Sequence, residues 1–155
     1  MIPQPPPTAL DKIFTARVTV GAVDDYGQTR AGHRRIVSIL GGRLSQGIDA
    51  EVLAGGADWQ IVHTDGTIEI DTRYSARTDN GELLHVRTRG MRTGSPGVLE
   101  ALLAGESVPA SDYYFRLVVT IETAAPTLAY LQNSLLVGAA ARGADDVVYD
   151  AYRVR

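Results

Sequence analysis

The stretch from residue 59 to residue 92, WQIVHTDGTIEIDTRYSARTDNGELLHVRTRGMR, decides the fold. Asp65-Gly66 and Asn80-Gly81 are the dipeptides that favour the positive backbone angles of tight hairpin turns. Between them the chain alternates as a strand does. Ile68, Ile70, Thr72, Tyr74 and Ala76 share one face, and Thr67, Glu69, Asp71, Arg73 and Ser75 the other. Beyond the second turn, Leu84, Val86 and Thr88 stand opposite His85, Arg87 and Arg89. The stretch therefore reads as a three-strand antiparallel meander.

The same pattern extends outward. Strands are expected at Lys12 to Val20, His33 to Leu40, Gly47 to Leu53, Tyr113 to Thr123, Leu128 to Val137 and Val147 to Val154. Asp24 to Gly32 reads as a polar loop, and Gly41-Gly42 and Gly55-Gly56 as bends. Pro96 to Ala104 is the one helical candidate, with proline near its start and Gly105 just past its end. The expectation is an all-β protein: a single antiparallel β-barrel of about nine strands with one short helix. Residues 1–11 read as a proline-rich N-terminal tail, and residues 12–155 as the single barrel domain.

Composition narrows the function classes. A chain of 155 residues is about one domain and long enough to bury a core. The net charge of −3 and the scattered basic residues argue against nucleic acid as a partner. With no cysteine, thiolate chemistry, disulfides and iron–sulfur sites are excluded. No run approaches the ~20 apolar residues of a membrane helix. The N-terminus lacks the charged start and apolar core of a signal peptide, so a cytoplasmic protein is expected. His33, His63 and His85 show no ligand spacing, and no serine sits in a Gly-x-Ser-x-Gly context. Neither a metal site nor a cofactor is expected.

What remains is acid–base chemistry. Asp58 and Asp71 lie on or beside adjacent hairpin strands, where burial raises one carboxyl pKa and an arginine holds another ionised. Tyr74, Tyr114 and Tyr130 can donate to a substrate oxygen, and Arg73 or Arg116 can stabilise an enolate or carboxylate. Each charged strand face admits two readings, a solvated outer surface or the polar lining of a lumen. Alternation alone leaves open which face is inside. Leu128 to Ala141 is apolar on both faces, which suits either a homodimer interface or cover by the helix or tail.

Several runs together resemble the domain-of-unknown-function family 3237, also called uncharacterised protein family 0311. They are Leu53 to Gln60, Asp65-Gly66, Asp71 to Tyr74, Thr78 to Gly81, Tyr113 to Arg116, Glu122-Thr123 and Val137-Gly138. The resemblance implies one antiparallel barrel with a small-molecule lumen. It implies Asp58, Trp59, Asp71, Arg73, Tyr114, Arg116 and Glu122 as site positions. The chain departs from the family pattern at Ala54, at Ile121 and at Leu128 to Gln132, where Tyr130 and Gln132 would reshape one wall.

The first functional expectation is a cofactor-independent enzyme. It would carry out isomerisation, cyclisation, hydration or elimination on a small, partly apolar aromatic or polyketide-like molecule. Asp58 or Asp71 is its base, and Tyr114 and Arg116 polarise a carbonyl or phenol. The alternative is a non-catalytic carrier or sensor for the same ligand class. Third is a structural protein whose charged faces are merely solvated.

Overall fold

The computed structural model describes residues 1–155. Nine strands form one antiparallel sheet that closes on itself. They are β1 (Leu10–Thr29), β2 (Gly32–Ser45), β3 (Ala50–Val52), β4 (Ala57–Val62), β5 (Ile68–Thr78), β6 (Leu83–Gly94), β7 (Tyr113–Thr123), β8 (Leu136–Arg142) and β9 (Asp146–Val154). One helix, α1 (Pro96–Leu103), and two 3₁₀ segments, Ala110–Asp112 and Pro126–Asn133, complete the chain. β3 and β4 sit end to end in one position. β2 pairs with β3 through Gly42 to Leu44 and with β4 through His33 to Ser38. β5 pairs with β3 through Ala76 to Thr78 and with β4 through Ile68 to Arg73. With β1 hydrogen-bonded to both β2 and β9, the ring has eight positions and no free edge.

The meander is present as β4, β5 and β6, and both turns form as their chemistry dictates. Gly66 and Gly81 take φ of 86° and 87°, and the Asp65 carboxylate accepts from the Thr67 N–H at 2.9 Å. Three local expectations differ from the structure. Asp24 to Gly32 is not a loop but the outer arm of the β1–β2 hairpin, paired from Asp24↔Ile36 to Thr29↔Gly32. Its side chains are exposed, so backbone pairing carries the arm without an apolar pattern. Gly41-Gly42 does not end β2, because the strand crosses β1 there in close contact. Leu128 to Asn133 is helical rather than extended, since Pro126 opens a 3₁₀ segment. Its three-residue period brings Leu128 and Leu131 together onto the core.

Gly42 makes the crossing possible. Its φ is 134°, and a Cβ there would lie 2.0 Å from the Arg17 carbonyl oxygen. Gly42→Ala is expected to cost about 2–4 kcal/mol in urea denaturation, through backbone strain and displacement of β1. A loss below about 0.5 kcal/mol would mean that the crossing is not tight.

The two ends of the barrel are closed differently. At the Leu84 end of β6, the segment Pro126–Asn133 packs on β7, and Leu131 enters the core. This half is filled by side chains, with Phe14, Leu44, Leu84 and Ile121 almost fully buried. At the Gly94 end of β6, α1 lies across the opening. Ser95 caps it by accepting from the Val98 N–H, Pro96 occupies its first turn, and Leu99 and Leu102 face inward. Beneath α1 the interior is not filled.

Candidate functional site

Under α1 lies a cavity of about 230 Å³. Its wall is apolar where Val20, Leu102, Leu103 and Phe115 face it. The polar groups are Asp58 and Gln60 of β4, Thr72 of β5, Thr88 and Arg92 of β6, Arg35 of β2 and Arg142 of β8. Strand register gathers them. Asp58 pairs with Thr72, Thr72 with Thr88, Gln60 with Arg35, and Arg92 with Phe115.

Asp58 is 8% exposed. Gln60 Nε2 donates to its Oδ2 at 2.7 Å, and the Asp71 backbone N–H donates to its Oδ1 at 3.1 Å. The second bond follows from a break in the β4–β5 ladder, which stops at Asp58↔Thr72 and resumes at Ile61↔Glu69. Over that gap the carboxylate serves as acceptor for a strand N–H. Burial pushes the Asp58 carboxyl above its ordinary 3.8, and it outweighs Gln60, Thr72, the Asp71 N–H and the positive Arg92, which all pull it down. Gln60 Oε1 is buried without a partner. A half-turn of that amide exchanges donor for acceptor, so the pair accommodates Asp58 either ionised or protonated.

The arginines are the second feature. Arg92 is 3% exposed, its guanidinium lies 5.5 Å over the Phe115 ring, and its Nε has no hydrogen-bond partner. Burial, and then the nearby Arg142, lower its pKa to about 10. Burial also lowers Arg142, which donates from Nη1 to the Asp146 carbonyl at 3.0 Å. Deeper in, the hydroxyls of Tyr74 and Tyr149 hydrogen-bond to each other. Both groups are pushed above the ordinary tyrosine value, chiefly by burial. Truncating one leaves the other hydroxyl buried and unpaired. Tyr74→Phe or Tyr149→Phe alone is expected to cost about 1–3 kcal/mol, and the double variant less than the sum of the two. Additive losses in a double-mutant cycle would show that the pair is not coupled.

The residues singled out from sequence divide between lumen and surface. Asp58 and Tyr74 face the lumen. Asp71, Arg73, Trp59 and Glu122 lie on the outer face, because they alternate with the buried residues of β4, β5 and β7. There Arg87 Nε and Nη2 grip Asp71 at 3.0 and 3.2 Å. Arg73 stacks on Trp59 at 5.8 Å, and Glu122 pairs with His85 at 3.2 Å. Burial would raise the Asp71 carboxyl, but Arg87 and Arg73 together hold it below its usual value. Tyr114 and Arg116 stack on each other at 5.3 Å on the surface. Tyr130 lies under Arg153 at 5.8 Å. Gln132 bonds twice to the Thr123 backbone and ties down the end of β7. An outer groove over β4 to β7 is larger, at about 720 Å³, but it is open to solvent and its Asp71 is paired. The lumen is the better candidate because its polar groups are buried, convergent and only partly satisfied.

Gln60, Thr72, Thr88, Arg35, Arg92 and Arg142 were not among the sequence candidates. A signal for two of them was available. Arg92 continues the inward stripe of Leu84, Val86 and Thr88, and Arg35 shares the stripe of Val37 and Ile39. No group of histidine, aspartate or glutamate side chains is placed to hold a metal ion, and no helix is long and apolar enough to cross a membrane.

Comparison with known proteins agrees with the fold. A protein of Rhodopseudomonas palustris called UPF0311 protein is 39% identical over 143 residues, covering 92% of this chain and 94% of its own. A crystal structure of a conserved R. palustris protein of unknown function superposes with a TM-score of 0.92 at 37% identity, covering 98% of this chain and 100% of that one. A β-barrel-like protein of Acinetobacter baumannii gives 0.85 at 38% identity, covering 98% and 99%. A crystal structure described as an enzyme from Penicillium herquei shares the fold with a TM-score of 0.73 at 19% identity, with 100% of both chains covered. The family model described as "Protein of unknown function (DUF3237)" matches residues 8–154, and the chain belongs to that family.

Proposed function

We propose that the cavity under α1 is the active site of a cofactor-independent enzyme that moves protons on a small, partly apolar organic molecule. The reaction class is isomerisation, cyclisation, or hydration and elimination. Asp58 is the acid–base group. The observation that carries this reading is a carboxyl buried against an apolar cavity, where desolvation favours its protonated form, and partnered by an amide that can follow its protonation state. A general base works best when its pKa approaches the operating pH, and desolvation is what moves a carboxyl in that direction. Arg35 and Arg142 line the same cavity, and positive charge there would stabilise an enolate or phenolate oxygen. The Tyr74–Tyr149 pair forms the floor as a neutral hydrogen-bonded unit.

The test uses carbonyl-bearing aromatic and polyketide-like ligands first shown to bind. Each is incubated with the protein in D₂O and followed by NMR and mass spectrometry. Deuterium entering the carbon next to the carbonyl, or a product of changed connectivity, over many turnovers per protein is the expected result. Ligands that bind stoichiometrically and keep every proton over many hours would make the barrel a carrier.

A further inference from the structure

We infer that the molecule taken by this lumen carries a carboxylate, held by Arg92 as the anchoring residue, with its body on the apolar wall. The inference rests on the reading of the lumen as the binding site. Four charged residues line the cavity: Arg35, Asp58, Arg92 and Arg142. None of the three arginines takes part in an ion pair within the chain. Every other arginine pair with a carboxylate, such as Arg87 with Asp71, is on the outside. Buried cations are ordinarily paired, because an isolated charge in low dielectric is costly. Arg92 departs furthest from that rule, being almost fully buried with its Nε unpartnered.

Geometry narrows the anion. The guanidinium of Arg92 lies over the Phe115 ring, 5.5 Å from its centroid. Its N–H donors lie in the guanidinium plane and offer two parallel bonds along one edge. A planar, bidentate acceptor suits that edge, and a carboxylate is such a group. A phosphonate can take the same fork with two of its oxygens, and its third oxygen and second charge then fall to donors other than Arg92. Leu102, Leu103 and Val20 supply the apolar surface for the rest of the ligand. Asp58 is the only acidic group of the lining and its carboxylate is bonded to Gln60 and the Asp71 N–H, so it does not occupy the Arg92 fork.

The test titrates the full-length protein with benzoate, benzamide and phenylphosphonate, following backbone amide signals of Thr72, Thr88 and Phe115. Benzoate is expected to bind at least about tenfold more tightly than benzamide and no more weakly than phenylphosphonate, with shifts centred on those residues. In Arg92→Met, benzoate affinity is expected to fall at least about tenfold while benzamide affinity stays unchanged. Arg92→Lys, which keeps the charge but not the fork, recovers only part of the loss. Equal affinities for benzoate and benzamide in the unaltered protein would overturn the carboxylate and leave the lumen site standing. This comparison holds whether or not the variants fold. A preference for phenylphosphonate, or retention of benzoate selectivity in folded Arg92→Met, would overturn it too. If none of the three ligands shifts lumen signals, the lumen reading falls and the inference falls with it.

Discussion

Asp58→Asn is expected to slow deuterium exchange into bound carbonyl ligands by about 10²–10⁴-fold, the usual contribution of a positioned acid–base group, while the barrel stays folded. Asp58 is the only carboxylate lining the cavity, so no neighbour can substitute for it. The change is nearly isosteric. Asn Oδ1 can still accept the Asp71 N–H, and the new amide group can donate to Gln60 once that side chain turns its unpartnered Oε1 inward. Loss of turnover without loss of fold separates chemistry from architecture. The stability of the variant gives a second readout whose sign is fixed. A carboxyl with a raised folded-state pKa binds its proton more tightly in the native state, so the native state loses stability as pH rises from 3.8 through that raised value. Asp58→Asn removes this loss. Its stability should therefore fall less than that of the parent over the same pH range. Asp71 and Asp150 behave oppositely: both are held below the ordinary value, so their contribution disappears as pH falls through the acid range. Unchanged exchange in a folded Asp58→Asn protein would remove Asp58 from the mechanism.

Phe14→Ala is expected to cost about 3–5 kcal/mol, the range for truncating a buried aromatic side chain. Phe14 is fully buried and meets Tyr149 edge to face, with ring centroids 6.1 Å apart. It belongs to the filled half of the barrel, where neighbours on the ring of strands are fixed by backbone hydrogen bonds and collapse poorly into a void. Its contact with Tyr149 also steadies the tyrosine pair beneath the cavity. Chemical denaturation of the variant checks the magnitude. A loss near 1 kcal/mol would mean that this half is loosely packed and that the division of the barrel into core and lumen is wrong.

The architecture was legible because turn chemistry and period-two alternation are local properties. Asp65-Gly66 and Asn80-Gly81 place two hairpins from the dihedral angles they favour, and the inward stripe of β5 follows at once. The errors fall where tertiary packing overrides local pattern. Leu128 to Asn133 has an apolar composition that suits a strand, yet Pro126 and the three-residue spacing of its leucines make it a plug for one end of the barrel. The β1–β2 arm pairs through backbone alone, with no side-chain pattern to reveal it. The site was only partly legible for a related reason. Asp71, Arg73, Tyr114 and Arg116 are conspicuous because outer strand faces carry charge. The residues that face inward differ from them only by parity along the strand. Arg92 and Arg35 were therefore discoverable as charges in register with apolar stripes. Arg142 was not, because Val137 to Ala141 is small and apolar on both faces and hides the alternation that carries Arg142 inward, one strand beyond β7 from Arg92.

The measurement that bears most directly on this account is the titration of the Asp58 side-chain carboxyl carbon by ¹³C NMR in the unliganded protein. A midpoint clearly above 3.8 is predicted, with Gln60 side-chain amide signals moving in the same transition. A midpoint at or below 3.8, with the Gln60 signals unmoved, would show an ordinary ionised aspartate and contradict the assignment of the lumen as a proton-transfer site.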